Sequence, residues 1–336
     1  MNNFDNKTVL ITGATGLIGS HIVDELMTKT TAKVIALSRS EKKLTEGFKE
    51  YIDNTRFSVC AQNITEELIF EESVDYIFHA AGPMEGKVIK NYPMDVINPN
   101  ISGTINCLEL LKKQEEEKGI KGRLILFSSV TVYGNITNED LVVSEDDTKI
   151  TESLNVISAP YSQSKRMSEV ITLAYVRQFG IDAVIARFST VYGATKFIPD
   201  TAFFEFIRKG KENEIITLNT AGLPRRDNVY IDDAVAGVLK IAESGNVGEA
   251  YNISSNGDLE NYASVDEIAA VIANVANKMY GNTCDVQFKE KSNSTRKPGL
   301  KLDNTKLKGL GWNVRVSLRE GIEHTFENID FKGNHS

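Results

Sequence analysis

In the stretch APYSQSKRMSEV, Tyr161 stands four positions before Lys165. On a helix that spacing puts both side chains on one face, one turn apart. The pairing has a chemical use. A tyrosine of ordinary pKa, about 10, is a poor base at neutral pH, but a close ammonium and a cationic nicotinamide stabilise its phenolate. The phenolate can then take the proton of a substrate hydroxyl. Tyrosine and lysine also meet at this spacing by chance, as a packed ring beside a surface amine. The chemical reading therefore needs a second element that supplies a redox partner.

That element stands near the N-terminus. Thr8 to Gly19 read TVLITGATGLIG, a β-branched strand followed by Gly13, Gly16 and Gly19 and then an amphipathic run from Leu17 to Lys29. The first glycine permits a tight turn, the second lets backbone approach a pyrophosphate, and the third lets the helix pack on the strand. Free amides and the positive dipole end at the helix start suit phosphates. The next strand ends in Ala36-Leu37-Ser38-Arg39-Ser40, where an NAD-binding chain usually offers Asp or Glu to the ribose. Ser38 and Arg39 suit a ribose phosphate instead, which favours NADP over NAD; the plain alternative is that Arg39 is a solvated loop residue.

These groups need a scaffold. Short apolar runs at Thr8–Ile11, Lys33–Ser38, Arg56–Ala61, Val74–His79, Arg123–Phe127 and Ala183–Phe188 alternate with amphipathic stretches, notably Leu17–Lys29, Asp95–Glu117 and Ser158–Phe179. Such alternation predicts an α/β fold, a Rossmann-type doubly wound parallel sheet, with a smaller C-terminal substrate-binding lobe. Ligands lie at the carboxyl ends of such strands, so Ser128 and Ser129, directly after the fifth strand, point to the cofactor site. After Phe188 the alternation loosens until an apolar helix at Ile231–Ser244 and a strand at Ala250–Ser254. The division expected is a dinucleotide-binding domain at 1–188 and a mainly substrate-binding lobe at 189–330, with elements near 228–256 returning to the sheet. Ser264 and Glu267 form a capping box and open a further helix. The tail after Asn328 is expected to fray.

Bulk properties narrow the classes. The 336 residues suffice for a large core, and 41% hydrophobic with 25% charged residues is ordinary for a globular protein. A formal charge of −8 disfavours nucleic acid or an anionic membrane as partner. Neither a leader nor a run of roughly 18 apolar residues is visible, which predicts a cytoplasmic location. Cys60, Cys107 and Cys284 read as buried thiols, and the four histidines make no metal pattern.

With the glycine triplet, the serine pair and Tyr-x-x-x-Lys in this order, the chain resembles the extended short-chain dehydrogenase/reductases, in particular the sugar-nucleotide epimerases and dehydratases. Further matches are HAAG at His79–Gly82, NISGT at Asn100–Thr104, RFSTVYG at Arg187–Gly193, RRDNVYIDDA at Arg225–Ala234 and LGW at Leu310–Trp312. The resemblance implies Tyr161 as base, Lys165 as ligand of the nicotinamide ribose and tuner of Tyr161, and Ser129 as the catalytic hydroxyl. It implies cofactor contacts from Gly13, Thr15, Gly16, Leu17, Ile18 and Gly19, from Ser38 and Arg39, from Asn63 and Ile64 beside adenine, and from Ala80, Ala81, Gly82 and Asn100. Thr190, Arg226 and Arg296 would meet the substrate, the arginines at its phosphates, together with Ser129. A homodimer is also implied, through the helix that bears the tyrosine.

Departures from the family pattern shape the expected reaction. Where dehydratases carry an acidic pair and sugar-acid decarboxylases a glutamate, this chain has Val130 and Thr131. The usual asparagine of the RFSTVYG segment is Thr190, the proline after Gly193 is Ala194, and the segment after Arg296 lacks the usual Gly-Asp. Without a carboxylate beside the sugar, epimerisation of a nucleotide-sugar, by transient oxidation at a hydroxyl such as that on carbon 4, is favoured. Reduction of a keto-sugar by NADPH, to which Arg39 leans, is the alternative. A catalytically silent dinucleotide sensor is the reading from another class.

Overall fold

The computed structural model describes residues 3–134, 140–147, 152–290 and 299–331. Its first half runs β1 (Thr8–Thr12), α1 (Leu17–Lys29), β2 (Lys33–Ser38), α2 (Glu41–Gly47), β3 (Phe57–Ala61), β4 (Tyr76–His79), α3 (Gly86–Asn91), α4 (Pro93–Lys118) and β5 (Arg123–Ser129). Next come β6 (Asp140–Val143), α5 (Ala159–Phe179), β7 (Asp182–Phe188), β8 (Thr190–Tyr192), α6 (Ala202–Lys211), β9 (Ile216–Leu218) and β10 (Arg225–Tyr230). The chain then forms α7 (Ile231–Ser244), β11 (Ala250–Ile253), β12 (Tyr262–Ser264), α8 (Val265–Tyr280), β13 (Val286–Phe288), β14 (Gly299–Leu302), α9 (Thr305–Gly309) and α10 (Leu318–Asn328).

Seven strands make one sheet in the order β11-β7-β5-β4-β1-β2-β3, every pair parallel. Chain order reverses between β1 and β4, and the carboxyl ends of those two strands open the crevice where ligands of such sheets bind. Both faces are covered. Val9 and Ile11 pack into the cluster that holds α1 and α7, whereas Leu10 between them packs into the cluster that holds Leu108 and Leu111 of α4. Period-two alternation thus serves two apolar faces, which is why the strand reads as a continuous hydrophobic run.

A second sheet in the order β12-β10-β14-β6, with β8 pairing β10, and a small β9–β13 pair form the rest. β10 runs parallel to β8 and β14 and antiparallel to β12. The expected capping box is present at Ser264 and Glu267. Several boundaries shift by one or two residues from the sequence reading, and two of the differences have a plain tertiary cause. β5 continues through Ser128 and Ser129, because their backbones pair with Arg187 and Phe188 of β7. Beyond α10 the chain stays docked, since Ile329 is buried in the core; residues 332–336 lie outside the described part.

One polar network fastens α5 to the sheet. Glu169 receives two hydrogen bonds from Arg187, from Nε at 2.9 Å and Nη2 at 2.7 Å, and the Ser128 hydroxyl donates to the same carboxylate. Arg187 also donates to the Tyr133 hydroxyl and the Glu145 carbonyl, and the Tyr133 hydroxyl donates to Asn252 Oδ1 at 2.7 Å. Both members of the ion pair are nearly out of water. Removing one partner of a buried pair strands the other charge. Arg187→Met is therefore expected to lower unfolding stability by about 3–5 kcal/mol in denaturant titrations, and adding Glu169→Gln should restore much of it.

Candidate active site

At the end of β1 the backbone of Gly13 takes φ 67°, a left-handed turn. Space there admits only glycine: a Cβ on Gly13 would lie 2.8 Å from the Ala80 carbonyl carbon, and one on Gly19 would lie 2.5 Å from the Gly13 oxygen. The turn therefore brings α1 down on β1 and lays the HAAG loop against it. Gly16 caps α1. The amides of Leu17, Ile18 and Gly19, in the first turn, have no acceptor within the helix and face the crevice with its positive dipole end. That cradle fits a pyrophosphate.

From this turn a groove of about 530 Å³ runs outward past Thr15, Ser38, Arg39, Asn63, Ile64 and Ala81. The Thr15 and Ser38 hydroxyls bond each other at 2.9 Å. Lys43 lines the same groove beside the exposed Arg39, a second cation that the sequence reading missed although it lies one helical turn further on. Inward from the turn lies a cleft of about 240 Å³, lined by Leu17, Ile18, Ser129, Tyr161, Lys165 and Ser189 among others. Gly13, Gly16, Ala80, Gly82, Pro83 and Glu85 border both. One extended ligand can span the two.

Tyr161 and Lys165 come from the first turns of α5, where Pro160 suits the helix start. Lys165 is buried, and its Nζ donates to the Phe127 carbonyl at 2.9 Å while standing 6.0 Å from the Tyr161 ring centroid. Burial pushes the Lys165 ammonium down to about 8, against the opposing pull of Glu169 one turn further along α5. Burial also raises the half-buried Tyr161 phenol above its ordinary value, and a hydrogen bond from Ser129 works the other way. The helix N-terminus near the ring adds to the field that favours a phenolate.

Asn100 does not line the cleft itself. Its Nδ2 donates to Ser164 at 2.8 Å, tying α4 to α5, and its buried Oδ1 has no partner among the described residues. That oxygen sits where a Cβ on Gly82 would be, 2.6 Å away. His79 is structural: burial pushes its imidazole down to about 3, and Nδ1 pairs with the Thr12 hydroxyl at 2.8 Å.

A third crevice of about 200 Å³ opens toward the second sheet and is lined by Thr131, Ser189, Thr190, Arg225, Arg226 and Asp227. Thr190 and Arg226 are exposed there. Arg296 lies outside the described residues. Ser189 went unnoticed in the sequence, yet it borders both this crevice and the cleft at Tyr161. The Ser189 and Thr131 hydroxyls are buried without a hydrogen-bond partner among the described residues. Asp227 is buried too; its carboxyl is pushed up to about 6 by burial, and it accepts from the Ser255 hydroxyl and the amides of Ser255 and Leu302. That anchor holds β10, and with it Arg226, against the segments at Ser255 and Leu302.

The model of the NAD dependent epimerase/dehydratase family matches residues 9–254. UDP-glucuronic acid decarboxylase 5 of Arabidopsis thaliana is 31% identical over 94% of this chain and 87% of its own length. Among solved structures, a UDP-glucuronic acid 4-epimerase from Bacillus cereus in complex with NAD superposes with a TM-score of 0.75 at 27% identity, covering 97% of this chain and 98% of its own. A UDP-glucose 4-epimerase from Thermotoga maritima with UDP-glucose gives 0.76 at 25% identity, covering 96% and 98%. Motif order, strand order and these likenesses agree: the chain belongs to the NAD dependent epimerase/dehydratase family.

Proposed function

We propose that the protein epimerises a nucleotide-sugar, with Tyr161 as base, Ser129 holding the sugar oxygen and Lys165 tuning the phenol. The observation that carries this is the convergence of all three side chains on the cleft that continues from the Gly13–Gly19 cradle. Bound there, a nicotinamide dinucleotide would accept a hydride from the sugar carbon and return it. Tyr161 takes the hydroxyl proton as that oxygen becomes a carbonyl, and gives it back when the sugar is reduced on its other face. Ser129 fixes the oxygen next to the phenol. Its neighbours Val130 and Thr131 offer hydrocarbon and a hydroxyl at the positions where the resemblance puts the acidic side chains of dehydration or decarboxylation. The expectation of no carboxylate beside the sugar does not hold for the cleft as a whole, since Glu85 borders it from another loop. The solved relatives bound to NAD or UDP-glucose support the ligand classes. Arg226, at the rim of the third crevice, and Arg296 are proposed for the substrate's phosphates.

NADP is proposed as the cofactor in preference to NAD, because Arg39 and Lys43 flank Ser38 in the groove and a ribose phosphate would meet two cations there. The same feature favours a second reading, reduction of a keto-sugar by NADPH. Absorbance at the nicotinamide band separates the two: epimerisation leaves it unchanged over many turnovers, whereas reduction consumes it stoichiometrically. The homodimer through α4 and α5 and the cytoplasmic location stay proposals. Among the described residues no helix is long and apolar enough to cross a membrane.

Tyr161→Phe is expected to cut turnover about 10²–10⁴-fold while dinucleotide affinity holds; unchanged turnover would hand the case to a sensor role. In the parent, the rate should climb with pH as Tyr161 loses its proton and stop gaining near pH 8, where the Lys165 ammonium discharges. Lys165→Met removes that ammonium, so a pH–rate series should show the climb displaced to higher pH. Arg39→Ala should weaken NADPH binding about tenfold or more and leave NADH binding alone; equal effects on both cofactors would remove the NADP preference.

A further inference from the structure

Where the cofactor groove meets the cleft of Tyr161, the lining turns acidic at one point. Glu85 borders both spaces, half-buried at the start of α3, in the loop that Pro83 and Met84 carry over from β4. Its side chain does not cap the helix, and among the described residues nothing pairs with its carboxylate. Among the described residues that line the cleft, Glu85 is the one carboxylate and Lys165 the one cation. The Lys165 ammonium donates one of its bonds to the Phe127 carbonyl at 2.9 Å. The two arginines, Arg225 and Arg226, stand apart in the third crevice.

A sugar that reaches Tyr161 therefore shares the cleft with a carboxylate that no described residue pairs with. Sugar hydroxyls, or an amino group, would donate to that charge. A carboxylate on the sugar would be repelled by it, and among the described residues that line the cleft Lys165, already bonded to the Phe127 carbonyl, is the one cation to offset the repulsion. We propose that Glu85 is a specificity-determining residue that admits neutral or amino sugars to the cleft and rejects sugar acids. This inference rests on the nucleotide-sugar reading above and narrows it. It also separates this chain from relatives named for UDP-glucuronic acid, such as the Arabidopsis decarboxylase and the Bacillus cereus epimerase.

The test is a pair of binding isotherms on the full-length protein loaded with dinucleotide, one with UDP-glucose and one with UDP-glucuronate, for the parent and for Glu85→Gln. Binding does not depend on Tyr161 acting as base, so a failed base assignment, read from Tyr161→Phe turnover, is told apart from a failure here. The parent should prefer UDP-glucose by about tenfold or more, as expected for like charges at reduced dielectric. Glu85→Gln keeps the size and the hydrogen-bonding capacity, so it should bring the two affinities together mainly by strengthening UDP-glucuronate. Equal affinities in the parent, or a preference that Glu85→Gln leaves untouched, would overturn the proposal.

Discussion

The ammonium of Lys165 has to be kept dry and charged together, and much of the surrounding structure answers that requirement. Taking an ammonium out of water is costly, and burial alone would neutralise it. Two things oppose this. The Phe127 carbonyl at the end of β5 accepts from it, and Glu169, one turn along α5, pulls its pKa back up. Glu169 would itself be an uncompensated buried charge without the fork of Arg187 and the hydroxyl of Ser128. Compensation thus passes from α5 to β7 and on through Tyr133 to Asn252 on β11. The helix that carries the proposed base is fastened by polar bonds to three strands of the sheet.

This arrangement links rigidity to chemistry. Ser128 and Ser129 are adjacent on β5 and so point to opposite faces. Both border the cleft, but the Ser128 hydroxyl is spent on the buried carboxylate, whereas the Ser129 hydroxyl bonds the Tyr161 phenol. Asn100 plays the matching part from the other side, holding α4 against α5 through Ser164 while its free oxygen sits against Gly82. Among the described residues, buried hydroxyls without a partner are left at Ser189, on the cleft, and at Thr131, on the third crevice, where a ligand could supply a bond.

Charge is partitioned along the cavity. Cations gather at its two ends, Arg39 and Lys43 near the outer rim of the cofactor groove and Arg225 and Arg226 by the second sheet. Among the described residues that line the middle, where the sugar would react, the charged groups are Lys165, bonded to the Phe127 carbonyl, and Glu85. Such a distribution suits a ligand anionic at its phosphates and neutral at its reactive part. It also reconciles an acidic protein with anionic ligands.

Much of this was legible in the residue order. Leu17–Lys29, Lys33–Ser38 and Ile231–Ser244 have the bounds the pattern predicts, because a local period of apolar residues, with Gly16 before the first helix and Gly245 after the last, sets them without help from distant parts of the chain. The glycine cradle and the Tyr161–Lys165 spacing are local in the same sense. The second sheet was not legible: β6, β12 and β14 are short and find their partners far away in sequence, so no window of residues reports them. The end of β5 was read two residues early because pairing with β7, and not intrinsic preference, extends it. Sequence by itself determined which residues have the chemistry and that a dinucleotide-type turn precedes them. Tertiary structure decided which of those groups are buried, which share a cavity, and that Glu85 and Ser189 belong with them, since burial and juxtaposition are set by contacts between distant segments.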